Sequence, residues 1–95
     1  MLRITLESGI DAATFRLEGK LAGPWVNECE RSWHDFKDRT PGTPVTVDLR
    51  KVSFIDSEGK KLLRRMFEQG AELRAQLMTK YIVDEVTGQR NGNGG

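Results

Sequence analysis

Metal-ligating and redox side chains are almost missing from this chain, which has one cysteine, Cys29, and one histidine, His34. A single thiol closes no internal disulfide and builds no thiolate metal cluster, and a lone imidazole has no second histidine to work with. Charge of one sign is also lacking, because 15 basic side chains face 14 acidic ones and the net charge is +1. No overall field draws this molecule to nucleic acid or to an anionic membrane, so any basic surface is local. No apolar run approaches the about 20 residues that a membrane-spanning helix needs. No glycine-rich loop with the lysine spacing of a phosphate site leads into a helix, which argues against intrinsic nucleotide binding. The amino terminus reads as a strand, with no charged-then-apolar leader. The expectation is a cytoplasmic protein without metal or cofactor.

What is present fits one small domain, since 95 residues at 37% hydrophobic form one core and leave little chain for a second. Leu2, Ile4 and Leu6 alternate with Arg3, Thr5 and Glu7, and Ala13, Phe15 and Leu17 with Thr14, Arg16 and Glu18. With turn residues Ser8 to Asp11 between them, these two runs predict an antiparallel hairpin. After Gly19 and Gly23, Pro24 suits the first position of a helix, and Val26, Cys29, Trp33 and Phe36 then share one helical face as far as about Asp38. The breaker segment Thr40 to Pro44 precedes a third strand, with Val45, Val47 and Leu49 facing one way and Thr46, Asp48 and Arg50 the other. A second helix follows the turn at Asp56, with an apolar stripe of Leu62, Leu63, Met66 and Phe67 opposite Lys60, Lys61, Arg64 and Arg65, and Gly70 ends it. Ala71, Leu73, Ala75 and Leu77 read as a fourth strand, and Thr79 as the cap of a last helix carrying Ile82, Val83 and Val86.

The order ββαβαβα predicts an α/β domain over residues 1–87: a mixed four-stranded sheet, its later strands parallel, with the helices largely on one face. Residues 88–95, with no apolar anchor, read as a disordered tail.

The most informative stretch runs from Val45 to Gly59, where an alternating strand passes into Phe54, Ile55, Asp56, Ser57, Glu58 and Gly59 and then a helix. A serine on such a turn lies where free backbone N–H groups and the helix dipole favour a phosphate, so it suits a charge switch. The plainer reading of Asp56 or Ser57 is a helix cap, a position that both residue types favour. The words DLRKVSFIDSEG resemble the signature of the STAS domain, the fold of anti-sigma factor antagonists and of the cytoplasmic tails of sulfate transporters. That signature reads Asp-Ser-Ser-Gly followed by apolar residues, and Asp56, Ser57 and Gly59 match it. The chain departs from it at the second serine, which is Glu58, and at the apolar-glycine pair, which is Lys60 and Lys61. The element order is also that of the family, without the last strand and longer final helix of many members. Either the domain is a minimal version or the open edge beside the fourth strand is covered by a partner.

The resemblance implies a non-catalytic anti-sigma factor antagonist, which binds an anti-sigma factor with kinase activity and is released when that kinase phosphorylates Ser57. The second reading that it implies is an unphosphorylated subunit of a transporter or signalling complex. Either way the expected contact surface is the turn Asp56, Ser57, Glu58, Gly59, the helix face at Lys60, Lys61 and Arg64, and the loop Ala22, Gly23 to Trp25 at the same end of the sheet. Glu58 resembles a standing negative charge, and the lysines favour an acidic partner surface.

Other features are weaker signals. His34, beside Trp33 and Asp35, has no partner group for acid–base work. Cys29, Trp33 and Phe36 read as core, whereas Trp25 lies off their stripe and suits partner contact and the core about equally. Four cations within residues 60–65 suggest a nucleic-acid face, but Glu58, Glu68 and Glu72 and the scarcity of aromatics, 7% of residues, argue against it.

Overall fold

The computed structural model describes residues 1–88. Its elements follow the order β1 (Leu2–Ser8), β2 (Ala13–Leu21), α1 (Pro24–Arg39), β3 (Val45–Ile55), α2 (Ser57–Glu68), β4 (Glu72–Arg74) and α3 (Leu77–Thr87). The sheet runs β1-β2-β3-β4. β1 and β2 are antiparallel, while β3 lies parallel to β2 and β4 parallel to β3. The mixed sheet expected from the element order is therefore observed.

One face of the sheet carries the core. Ala13, Phe15 and Leu17 of β2 and Val45, Val47 and Leu49 of β3 are buried with Val26, Cys29, Trp33 and Phe36 of α1, Leu62, Leu63 and Met66 of α2, and Ile82 and Val86 of α3. Phe15 meets Trp33 edge-on at 5.3 Å between ring centroids and Phe36 at 5.6 Å, so aromatic geometry fixes α1 over β2. The Trp33 indole Nε1–H donates to Gln69 Oε1 at 2.8 Å, which satisfies a buried donor and ties α1 to the end of α2.

The opposite face is polar. Arg16 bonds Glu7 through both terminal nitrogens, at 3.0 and 3.2 Å, and reaches Asp48 at 3.4 Å. Arg50 adds its side chain to Asp48 at 2.9 and 3.0 Å and its backbone N–H at 3.0 Å. Asp48 is thereby buried although it stands on the outer face, because the two arginine stems lie against it.

The alternation of β3 does not last its length. β3 holds one more residue than β2 between the pairs Arg16↔Asp48 and Glu18↔Lys51, and again between Gly19↔Val52 and Lys20↔Phe54. These two bulges shift the phase, so that Val52 and Ile55 join the core while Phe54 stands 52% exposed.

Four local expectations are corrected. The fourth strand spans only Glu72–Arg74, because β3 offers it partners only at Thr46, Val47 and Asp48; Ala71, Ala75 and Leu77 lie outside it. The last helix begins at Leu77, ahead of Thr79, with Gln76 as its N-cap and the Gln76 carbonyl accepting the Lys80 N–H at 2.8 Å. Phe67 is 37% exposed rather than part of the apolar stripe of α2, since the buried face is Gly59, Leu62, Leu63 and Met66 and Phe67 sits a further 100° or so around the helix. Gly88, placed by composition in the tail, is the left-handed C-cap of α3, and the rest of that tail, 89–95, lies outside the described residues.

Candidate functional site

β2 and β3 end side by side, and the chain leaves each one through a short link into a helix: Ala22 and Gly23 into α1, and Asp56 into α2. Asp56 joins the two links. It is the N-cap of α2, in extended conformation, and its Oδ1 accepts the Gly59 N–H at 2.8 Å. Its Oδ2 accepts the Gly23 N–H at 2.9 Å, and its own N–H donates to the Leu21 carbonyl at 3.2 Å. The Gly23 and Gly59 N–H groups hold the Asp56 carboxyl below the usual carboxylate range. The loop Ala22–Trp25 and the turn Asp56–Gly59, expected at one end of the sheet, are thus bonded to each other.

Gly59 explains why the turn sits so close. A Cβ on it would come within 2.5 Å of the Leu21 carbonyl oxygen and 3.0 Å of an Ile55 methyl, so only glycine lets the first turn of α2 rest on the end of β2.

Ser57 is the first residue of α2 and is exposed. The cap N–H of Gly59 is already taken by Asp56, so that donor is not free for a group on Ser57. The basic face of α2 is also less free than its sequence suggests. Lys61 pairs with Glu58 at 3.2 Å, Lys60 with Glu85 of α3 at 3.4 Å, and Arg65 with Glu30 of α1 at 3.1 Å. Arg64, exposed between them, has no carboxylate within 4 Å among the described residues.

Trp25 is 37% exposed beside the loop, consistent with a contact residue. Phe54, two residues before Asp56, is an exposed aromatic at the same strand ends that the alternation pattern did not single out. The β3 bulges that expose it leave no mark in the sequence.

The other chemistry-bearing side chains stand apart from this turn. His34 is exposed and near Glu30 at 3.7 Å only. Burial pushes the Cys29 thiol up to about 12, which leaves it an unreactive core residue. No group of three or more metal-ligating side chains comes together among the described residues. None of their helices is long and apolar enough to cross a membrane. A cleft of about 320 Å³ lies between β4 and α3, lined by Leu73, Ala75 and Val83 among charged neighbours, away from Ser57.

No family profile and no curated protein sequence matches the chain. Solved structures do match it in shape. An anti-sigma factor antagonist from Mycobacterium paratuberculosis superposes with a TM-score of 0.78 at 17% identity, over 94% of this chain and 80% of that one. The anti-sigma factor antagonist SpoIIAA in its unphosphorylated form gives a TM-score of 0.53 at 18% identity, over 90% of this chain and 99% of that one. A structure of Mglu matches at 0.58 and 22% identity over 77% of this chain, but that match spans only 19% of the longer protein. With its four-stranded mixed sheet and its helices packed over one face, the chain has a STAS-like fold.

Proposed function

We propose that this protein is an anti-sigma factor antagonist: a cytoplasmic, non-catalytic interaction domain whose unmodified form binds an anti-sigma factor with kinase activity and whose phosphorylated form does not. The observation that carries this reading is the placement of Ser57, exposed on the first turn of α2 and clamped in position by the two bonds of Asp56. The likeness in fold to two anti-sigma factor antagonists supports it.

The docking face is the turn Asp56, Ser57, Glu58 and Gly59, the adjoining α2 residues Lys60, Lys61 and Arg64, and the loop Ala22, Gly23 and Trp25. Phosphorylation adds roughly −1.5 to −2 charges and three acceptor oxygens. Because Ser57 is exposed and Asp56 already takes the Gly59 N–H, that charge would be presented to the partner and would have to be desolvated in the contact. The effect falls on docking.

The test is capture from lysate of the native host on wild-type, Ser57→Ala and Ser57→Asp baits, followed by incubation with Mg-ATP and mapping of phosphopeptides. A kinase held by wild type and Ser57→Ala, lost with Ser57→Asp, and modifying Ser57, is the expected result. Equal retention of one transporter or scaffold component by all three baits would instead make the domain a fixed subunit and Ser57 only part of a helix start. Glu58, in the place of a second serine, and the paired lysines are the features that favour that second reading.

A further inference from the structure

The two edges of the sheet are unlike. β4 is three residues long and gives an incoming strand little to pair with, whereas β1 is a seven-residue edge with no neighbour on its outer side among the described residues. Proteins ordinarily blunt such an edge with lysine, proline or a bulge. β1, Leu-Arg-Ile-Thr-Leu-Glu-Ser, contains neither lysine nor proline, and its register with β2 is unbroken from Leu2↔Gly19 to Ser8↔Ala13.

Which backbone groups face outward is fixed by the bonds at the two ends of the hairpin. The Lys20 N–H donates to the Met1 carbonyl at 3.1 Å, and the Gly9 N–H to the Ala12 carbonyl at 2.8 Å. Both are bonds at odd-numbered positions of the β1 side, so Arg3, Thr5 and Glu7 turn their backbone groups toward β2. The N–H and C=O groups of Leu2, Ile4, Leu6 and Ser8 therefore point to solvent, since direction alternates along an antiparallel strand.

The side chains then choose an occupant. If a second copy of β1 is laid antiparallel along the first with the two-fold axis at Thr5, the outward backbone groups of Ile4 meet those of Leu6 of the second copy, and those of Leu2 meet Ser8. In that same register Arg3 stands opposite Glu7 and Thr5 opposite Thr5, in the closer, non-hydrogen-bonded positions. On the other face Leu6, 41% exposed, is set beside Ile4, which already packs against the core. Sliding by two residues in either direction keeps the backbone bonds but sets Glu7 opposite Met1 or Thr5, and the charge pairs are lost. A strand that is complementary to itself in backbone, charge and apolar contact at one register meets the requirement for an isologous contact.

We infer that β1 is a self-association edge, and that its partner is a second copy of this chain joined by antiparallel β1–β1 pairing centred on Thr5 to give a continuous eight-stranded sheet. Arg3, exposed and without a carboxylate within 4 Å among the described residues, gains Glu7 of the second copy, which it shares with Arg16. The Asp56 turn lies at the end of β3, two strands away from this edge, so both copies keep Ser57 free.

Sedimentation and light scattering over a concentration series up to about 1 mM test this. The wild type should pass from monomer to dimer. Arg3→Glu, which sets like charges opposite each other in both symmetry-related pairs, should weaken association by roughly tenfold or more, and Arg3→Glu with Glu7→Arg should restore it. Leu6→Pro removes an outward N–H and no intrachain bond, so it should give a folded monomer. A wild type that stays monomeric across the series, or a dimer indifferent to Arg3→Glu and Leu6→Pro, overturns the inference. Failure of the double charge swap to restore association overturns the register.

Discussion

Asp56 holds N–H groups from two different elements, so its removal acts on both. Asp56→Ala deletes the cap of α2 and the tie to Gly23 together, and should lower stability by roughly 1–2 kcal/mol, read as a drop in urea midpoint at unchanged slope. Gly59→Ala should cost more, about 1–3 kcal/mol, because the added methyl meets backbone, the Leu21 carbonyl, which cannot swing away. Asp48 gives the fold a pH dependence. The Arg50 side chain, then its backbone N–H and the Arg16 side chain, hold this carboxyl down to about 2 from an ordinary 3.8, with burial opposing. A depressed pKa means that the folded state binds the proton less readily than the unfolded chain. The stabilisation is therefore complete above about pH 4 and is lost as pH falls through about 2. With the arginines partly solvated, it amounts to on the order of 1–2 kcal/mol. Urea titrations of wild type and Asp48→Asn at pH 6, 4, 3 and 2 should show the gap between them closing across that window, and a constant gap would assign Asp48 no linkage.

At the scale of elements, periodicity carried the reading where one face alone is buried. Val26, Cys29, Trp33 and Phe36 fall on one helical stripe and are the buried residues of α1, and Ala13, Phe15 and Leu17 of β2 are buried as their alternation requires, although Leu6 of β1 stands exposed. Pattern failed where another element decides. Ala75 and Leu77 continue the alternation of β4, but β3 supplies a ladder only to Arg74, and the chain must then turn back for Ile82 and Val86 to reach the core. The β3 bulges likewise come from pairing with β2, so the burial of Val52 and the exposure of Phe54 were not legible in β3 alone. In the candidate site, Asp56, Ser57 and Gly59 were legible as a motif. The bond from Asp56 to Gly23, thirty-three residues away, and the pairing of Lys60 and Arg65 with carboxylates on other helices were not. One such cross-element contact carries a further prediction. Gln69→Met leaves the Trp33 indole N–H unpaired in a site where Trp33 is 1% exposed, and should destabilise the fold by about 1–3 kcal/mol in urea, with a shift in tryptophan fluorescence.

For the molecule as a whole, the proposed switch requires that folding and docking respond separately to charge at Ser57. Asp56 already satisfies the cap, so a new negative group at Ser57 displaces no bond that holds α2 to the sheet. Its field is favourable toward the positive end of the helix and toward Lys61 one turn on, and unfavourable toward Asp56 and Glu58, and these contributions are individually a few tenths of a kcal/mol. Ser57→Asp should therefore leave the urea midpoint within about 0.5 kcal/mol of wild type, as an exposed substitution normally does, while partner binding falls by tenfold or more. The comparison has to be made on one preparation, by denaturation and by binding to the captured partner. If Ser57→Asp lost binding and stability together, the loss of binding would only report unfolding of the turn. A native-like midpoint with lost binding would locate the effect at the docking face, where a phosphate on the exposed Ser57 would stand against the partner.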